Sequence, residues 1–369
     1  MAVDPALLLA GPRGRRLCLE FVRGLDGDAR EADQLDRAIF FAPFDLDPGR
    51  GTSRVLATIS GDQYSPPPHP SKAIARLLAV VPLVDPDEYA VLSTLVATVD
   101  SARYWQEPDG EDVLAAAPEL RGPLARISAV LADSPHSAWW ATPLAQDTQW
   151  AVDFEGVPAG QGITKTASET LQRWHAAQVD EEVAAKRERP ADPRAAWSGT
   201  WWSKPPTGLT RTTRSLDARG PAGLWLVEDN MGSDQAAVRQ IHVPAGVRVF
   251  EIDSAGAWAH LCRRFPLDVT ASRRHDWYRT TARNGRWVIP DWAQAAQTFD
   301  AVHLTVAGYL STAGLAVPVE NDQMTVLAGW DPDQTFWLTD ITQDESAVQA
   351  WEYDQNEGWT VSAARQSSR

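Results

Sequence analysis

The hydrophobic periodicity changes along the chain and divides it into two unlike parts. Between residues 71 and 134, three segments carry apolar residues at three- and four-residue spacing, the pattern of amphipathic helices. From about residue 223 onward, the apolar residues come instead in short runs rich in valine, isoleucine and aromatic side chains, which favour strands. The sequence therefore predicts an α+β protein: a mainly helical N-terminal region followed by a curved, mostly antiparallel β-sheet domain with short helices.

A helix and a charged tract separate the two parts. Thr166 and Glu169 stand at the spacing of a capping box, which predicts a helix from about Ser168 to Arg187. The tract AAKRERPADPR follows, and its charges and prolines favour exposure to solvent. The segments expected from these signals are a helical domain at 1–165, a helix and charged linker at 166–195, an α+β domain at 196–345 and an acidic C-terminal tail at 346–369.

Within the second part, the apolar runs predict the individual elements. The predicted strands are GLWLVED, VRVFEID, RWVIPDW, AVHLTVAGYL, MTVLAGW and TFWLTD, and the predicted helices are SAGAWAHLCRRF and WAQAAQTF. A turn signal at 331–334 between the last two strands predicts a hairpin over 324–340.

The charge balance excludes several classes of function. The chain has 34 Lys and Arg against 49 Asp and Glu, a formal net charge of −15. A field of this sign repels phosphate backbones and anionic lipid headgroups, so we expect neither general nucleic-acid binding nor binding to a membrane. The first residues lack the pattern of a secretory signal, which favours a cytoplasmic protein. The seven histidines show no metal-binding spacing, and we expect no metal.

Two compositional features stand out. The chain has 17 tryptophans, whose rings serve equally for filling a core and for stacking on sugars or nucleobases. The segment 262–287 is rich in arginine, and these side chains either pair with the protein's own carboxylates or bind a phosphate group. The arginines of this segment are Arg263, Arg264, Arg273, Arg274, Arg279, Arg283 and Arg286.

A few polar residues on the predicted strands are candidates for a cleft. Strand alternation places His303 and Thr305 on one face, where His303 is either a cleft residue or a structural histidine. Carboxylates also end two predicted strands, at a cleft edge or in solvent: Glu228, Asp229, Glu251 and Asp253.

Taken in order, the pieces of the second part resemble a layout found in proteins typical of high-GC actinobacteria, which themselves look distantly like ADP-ribosyltransferases. The match runs from 200 to 340 and does not cover the N-terminal half. Its pieces are Thr200–Ser203 as a polar strand, Gly223–Trp225, Phe250–Asp253 with Trp258, Ile289–Trp292, Phe299–His303, and Trp330–Asp331 with Trp337.

The resemblance implies a split, curved β-sandwich that holds NAD in a cleft, where a carboxylate stabilises the ribose cation as nicotinamide leaves. It makes Asp331 or Asp333 the catalytic carboxylate, although such enzymes usually use glutamate, which leaves a binding-only protein as an alternative. The other candidates are catalytic His303, then Ser203 and Trp225 beside the nicotinamide ribose, and Arg274, Trp277, Tyr278 and Arg279 as further NAD-binding residues.

Two other functions fit the same sequence. An acidic, tryptophan-rich surface suits an immunity- or antitoxin-like protein that binds a basic protein partner. Exposed tryptophans suit a module that binds a carbohydrate or a nucleotide. The expected partner is thus a small-molecule nucleotide or a basic protein. The positions of the tryptophans distinguish these alternatives.

Overall fold

A computed structural model describes residues 3–25, 29–48, 57–59, 62–64, 69–147, 149–155, 166–342 and 348–362. The described part is an α+β structure with a helical N-terminal region and mostly antiparallel sheets, which confirms the predicted fold class.

Helices dominate the first part of the chain. They are α1 (Pro5–Ala10), α2 (Pro12–Arg23), α3 (Ala29–Leu46), α4 (Ser71–Val80), α5 (Glu88–Asp100), α6 (Gly110–Ala115) and α7 (Arg121–Asp133), with 3₁₀ turns at Pro118–Leu120 and Pro135–Ala141. Two short strands, β1 (Ala57–Ile59) and β2 (Asp62–Tyr64), pair antiparallel. The helices α4, α5 and α7 fall in the three segments that the periodicity predicts as helical.

The predicted capping box is present at the start of α8 (Ala167–Glu188). The Thr166 hydroxyl accepts a hydrogen bond from the Glu169 amide at 3.2 Å, and the Glu169 carboxylate accepts one from the Thr166 amide at 3.0 Å. Farther along α8, the Glu182 carboxylate accepts hydrogen bonds from the amides of Ala271 and Ser272, in the first turn of the helix Thr270–Thr281. This carboxylate satisfies amides that have no partner within their own helix.

The larger sheet has eight strands, and all neighbours are antiparallel except the last pair. Its strands, in spatial order, are β14 (Gly358–Val361), β13 (Gln349–Asp354), β5 (Gln235–Ile241), β3 (Gln149–Phe154), β4 (Arg211–Arg214), β12 (Thr335–Trp337), β9 (Ala301–Leu304) and β6 (Val249–Ile252).

A second sheet has four strands, with a parallel pair at its centre. Its strands, in spatial order, are β10 (Val317–Glu320), β11 (Gln323–Thr325), β8 (Arg286–Pro290) and β7 (Pro266–Asp268). The remaining helices are α9 (Ala255–Arg264), α10 (Thr270–Thr281), α11 (Trp292–Ala295) and α12 (Val306–Thr312), with 3₁₀ turns at Asp217–Arg219 and Ala222–Leu224.

Four local predictions are wrong. The segment 301–310, predicted as one strand, is a strand only as far as Leu304, and α12 begins at Val306 with Thr305 as its N-cap. The segment 223–229, predicted as a strand, begins in the 3₁₀ turn Ala222–Leu224 and continues without regular structure. The segment 200–203 of the resemblance likewise forms no strand. The expected hairpin over 324–340 does not form, because β11 and β12 belong to different sheets. The apolar residues between them, including Val326 and Leu327, are fully buried where the chain crosses from one sheet to the other.

Segments that the sequence analysis assigns to separate regions share the larger sheet and one apolar core. Strand β3 comes from the segment expected as a helical domain, yet it lies between β5 and β4 of the larger sheet. The segment expected as an acidic tail contributes β13 and β14, because Trp351 and Trp359 bury their rings against the sheet. One apolar core contains residues from α2 and α12 together.

Most of the fully buried large side chains are tryptophans. Trp330 packs edge-on against Trp258, Trp292 and Phe336, with ring centroids 5.2–6.4 Å apart. The fully buried tryptophans are Trp140, Trp258, Trp277, Trp287, Trp292, Trp330 and Trp337. Core filling is therefore a major use of the high tryptophan content.

Candidate functional site

A cleft of about 230 Å³ lies against strands β3 and β4 in the middle of the larger sheet. The loop after the Ala222–Leu224 turn closes one side, and the loop before β12 closes another. The aromatic and charged side chains that line the cleft include Trp150, Trp201, Lys204, Arg211, Glu228 and Asp331. Asp153 and Phe154 also line it, so the cleft combines three aromatic rings, three carboxyls and two cations.

Glu228 and Asp331 bring two carboxyls together in this cleft. One Asp331 carboxylate oxygen accepts a hydrogen bond from the Glu228 backbone amide at 2.9 Å, and the other accepts one from Nε2 of Gln334, which also lines the cleft, at 3.2 Å. These bonds fix the orientation of Asp331. Burial and the neighbouring Asp331 charge raise the pKa of Glu228 to about 8. Burial also raises the pKa of Asp331, although Lys204 and the Glu228 amide oppose the rise.

The Glu228 carboxyl is buried without the hydrogen bonds that such a group normally makes. The hydroxyls of Tyr104 and Tyr309 interact with it. Among the described residues, however, neither carboxyl oxygen has a hydrogen-bond partner of normal geometry. The Gln334 side-chain oxygen is also buried and unpaired among these residues. Buried polar groups without partners are uncommon, and here two of them belong to cleft residues, where a ligand could satisfy them.

The two cations of the cleft are Lys204 and Arg211. Burial lowers the pKa of Lys204, against the opposing charge of Asp331, and the charge of Arg211 adds to the lowering. No carboxylate oxygen of the described residues lies within 4.0 Å of the Lys204 nitrogen, so its ammonium has no direct ion-pair partner there. An anionic group entering the cleft would therefore find cations on a protein of net negative charge.

The aromatic wall is fixed by packing outside the cleft. The Trp201 ring lies 4.8 Å from that of Trp105, and the Trp201 carbonyl accepts a hydrogen bond from Trp277 Nε1 at 2.7 Å. Gly329, another lining residue, has φ +74°, and a Cβ there would lie 2.7 Å from Cβ of Trp202. A side chain at position 329 would thus displace the tryptophan pair, and glycine is required.

His303 and Asp333 belong to a separate buried cluster. His303 Nδ1 lies 2.5 Å from a Glu251 oxygen, and Nε2 lies 3.4 Å from an Asp333 oxygen. Asp333 also accepts hydrogen bonds from the backbone amide of Arg214 at 2.9 Å and from its Nε at 2.5 Å. Since the Arg214 guanidinium also donates to Thr142 at 2.7 Å, this cluster links β9, β6 and β4 to the helical part.

Each charge in this cluster stabilises the ionised form of its neighbours and so shifts their pKa values. Burial alone would lower the pKa of His303, but the carboxylates of Asp333 and Glu251 outweigh it and raise the pKa to about 9. Burial likewise opposes ionisation of Asp333, but His303 and Arg214 lower its pKa. The cluster therefore holds a charged imidazole between two carboxylates, and it does not line the cleft.

Of the catalytic and NAD-binding residues predicted from the sequence, Asp331 alone lines the cleft in the described structure, together with the strand-end candidate Glu228. Ser203 is fully buried, and its hydroxyl accepts a hydrogen bond from the Ala328 amide at 3.0 Å. The Trp225 indole donates to the Arg219 carbonyl at 2.9 Å and packs among the aromatic rings at the β13–β14 end of the sheet.

The four predicted NAD-binding residues of the arginine-rich segment lie on α10 and bind the protein itself. Arg274 donates to the Pro190 carbonyl, and Trp277 is fully buried. Tyr278 accepts a hydrogen bond from Arg194, and Arg279 pairs with Asp276. On this helix, the two arginines therefore bind carbonyl and carboxylate groups of the protein itself.

The sequence alone did not identify most of the cleft. It offered Glu228 as a strand-end carboxylate, at a cleft edge or in solvent, and it did not single out Trp150, Lys204 or Arg211. Across the described residues, no group of three or more His, Cys, Asp or Glu side chains is arranged to hold a metal ion.

Comparisons with known proteins add nothing to this geometry. No protein-family model, no curated protein and no solved structure matches the chain. Among the described helices, none has both the length and the apolar character that crossing a membrane requires.

Proposed function

We propose that this protein cleaves the N-glycosidic bond between nicotinamide and ribose in NAD, as an ADP-ribosyltransferase or an NAD glycohydrolase. The observation that carries the proposal is the pair of carboxyls, Glu228 and Asp331, in a cleft with tryptophan walls. Paired carboxyl groups with perturbed pKa values, lining a cleft, are typical of sites that stabilise cations and transfer protons.

Asp331 has the role of the electrostatic stabiliser. As nicotinamide leaves, positive charge develops on the ribose, and a carboxylate held in place by the Glu228 amide and Gln334 stabilises that charge without reorganising. The nicotinamide ring leaves as a neutral molecule, because NAD carries its positive charge on that ring. Bond cleavage therefore needs no acid at this position.

Glu228 has the role of the base. In its ionised form it accepts the proton from the water or acceptor hydroxyl that attacks the ribose carbon, and the products are nicotinamide and the ADP-ribosylated oxygen. Because the pKa of Glu228 is about 8, this base is partly ionised near neutral pH. Turnover should therefore rise with pH to a midpoint of about 8.

The remaining cleft residues suit the substrate. The rings of Trp150 and Trp201 offer flat surfaces to nicotinamide, and the charges of Lys204 and Arg211 attract the diphosphate. A volume of about 230 Å³ receives the nicotinamide end of the dinucleotide, and the rest would extend past the rim.

The test is incubation of the full chain with NAD, followed by chromatographic measurement of nicotinamide release. The variant Asp331→Asn should lose about 100-fold or more in turnover, the scale of one preorganised charge in a reaction site. Glu228→Gln should abolish the rise of the rate with pH. Asp322→Asn removes a carboxylate that is 67% exposed and lies outside the cleft, and it should leave turnover unchanged. Absence of both NAD binding and nicotinamide release would refute the proposal.

A second candidate is NAD binding without chemistry. It is favoured by the aspartate at position 331, since the carboxylate of ADP-ribosyltransferases is usually a glutamate, which reaches one methylene farther. Quenching of tryptophan fluorescence by NAD, without release of nicotinamide, would support this second candidate over catalysis.

A further inference from the structure

A second, larger cavity lies between the helical part and the end of α10. Its volume is about 720 Å³, within the range of small-molecule sites. Residues of α2, α6 and the segments after α10 and α12 line it, and it shares no lining residue with the cleft of Glu228 and Asp331.

The lining of this cavity is basic, unlike the protein as a whole. Its two carboxylates already have partners, because Asp112 pairs with Arg13 and Arg16, and Glu119 accepts a hydrogen bond from Ser71 at 3.3 Å. Against them stand four guanidiniums, those of Arg13, Arg15, Arg103 and Arg283. An excess of cations in a cavity of a protein with net charge −15 indicates an anionic ligand.

Two of these arginines have no carboxylate partner among the described residues. Arg15 donates from Nη1 to the carbonyls of Leu9 and Ala10 at 3.0 and 3.1 Å, and its Nε is buried without a hydrogen-bond partner. Burial lowers the pKa of Arg15, against the opposing charge of Asp112, and the charges of Arg13 and Arg121 add to the lowering. Arg283 also lines the cavity, and its one described hydrogen bond is made by its backbone amide, to the Thr281 hydroxyl. Both guanidiniums are thus available to oxygens of a ligand.

The rest of the lining is mostly apolar. It includes Pro12, Leu46, Val113 and Leu315, together with the buried ring of Tyr104. We propose that this cavity binds an organic phosphate monoester, with its apolar body against these side chains and its phosphate between Arg15 and Arg283. The planar guanidinium matches the geometry of phosphate oxygens, and the two arginines would neutralise a dianion.

The test is isothermal titration calorimetry of the full chain with 1-naphthyl phosphate, which has one apolar ring system and one phosphate. Saturable binding with one site per chain is expected, whereas 1-naphthol, which lacks the phosphate, should bind at least tenfold more weakly. Arg283→Gln should weaken binding of 1-naphthyl phosphate about tenfold, the scale of one charge-assisted hydrogen bond. Since Arg283 is exposed, this change should not affect folding.

Arg15→Gln provides a second variant with the same expected loss, and an unchanged thermal unfolding midpoint would show that it folds. Arg187→Gln is the matched control, because this arginine is 73% exposed on α8 and lies outside the cavity. It should bind the probe as the wild type does. No saturable binding, equal binding of the two naphthyl compounds, or full affinity in both cavity variants would overturn the proposal. Nicotinamide release is not part of this experiment, so its outcome is independent of the proposed NAD chemistry.

Discussion

Replacing Glu228 by glutamine keeps the size of the side chain and removes a carboxyl whose ionisation the fold opposes. In the unfolded chain this group ionises near 4.5, whereas in the folded protein its pKa is about 8. Between these values the folded state holds one proton more than the unfolded state. The free energy of unfolding of the wild type should therefore fall as pH rises, by about 1.4 kcal/mol per pH unit from this group.

Between about pH 5 and pH 6.5, the effect of Glu228 on the free energy of unfolding can be measured with little interference from His303. There the free energy of unfolding falls by about 2 kcal/mol because of Glu228. The stabilisation from His303, whose unfolded-state pKa is 6.5, is still largely present in this range and is lost mainly at higher pH. Glu228→Gln has no carboxyl to ionise at this position, so its free energy of unfolding should not show this fall. As pH rises from about 5 to 6.5, the variant should gain about 2 kcal/mol in stability relative to the wild type.

Urea unfolding at several pH values, followed by circular dichroism, measures this difference. Asp322→Asn makes the same change from carboxylate to amide at an exposed position, and its stability should parallel that of the wild type. If the curves of Glu228→Gln and the wild type are parallel between about pH 5 and pH 6.5, Glu228 is ionised in the folded protein and the reasoning is wrong.

Three further changes test the buried cluster and the helix cap. The pKa of His303 is raised to about 9, so its contribution of about 3 kcal/mol is present below pH 6.5 and lost as pH rises to 9; His303→Gln should remove that loss in urea unfolding, and an unaltered pH dependence would contradict the charged imidazole. Asp333→Asn leaves the Arg214 guanidinium buried without its carboxylate and should cost about 3 kcal/mol in unfolding free energy at neutral pH; a cost below about 1 kcal/mol would show that the pair contributes little. Thr166→Ala removes the cap of α8 and should cost about 1 kcal/mol, with faster amide hydrogen exchange in the first turn; unchanged exchange there would contradict the capping role.

The sequence predicted those features of the fold that depend on local patterns. Apolar spacing located α4, α5 and α7, and the Thr166–Glu169 pair located the start of α8 within two residues. It missed α10, because this helix has no single apolar face: Arg273, His275 and Asp276 are buried along with Trp277. Arg273 donates to Glu181 and Gln178 on α8, and Asp276 accepts from Ser198 and the Gly199 amide. No local pattern reveals such tertiary hydrogen bonds.

The cleft was harder to predict than the fold. Asp331 was found through a resemblance, but its neighbours come from strands and loops that meet only through the sheet order. Trp150 lies in a segment whose helical surroundings hide strand β3, and Arg211 lies beside it because β3 pairs with β4. A single sequence carries no record of such pairing, so the cleft could be assembled only from the structure.

The central claim is that the folded protein keeps Glu228 protonated beside Asp331 at neutral pH. Infrared difference spectroscopy of the wild type against Glu228→Gln measures this directly, because a protonated carboxyl has a carbonyl stretching band that its ionised form lacks. The account predicts a band of one carboxyl at pH 6 that disappears with a midpoint of about 8. A band already absent at pH 6, with a midpoint near the unperturbed 4.5, would contradict it.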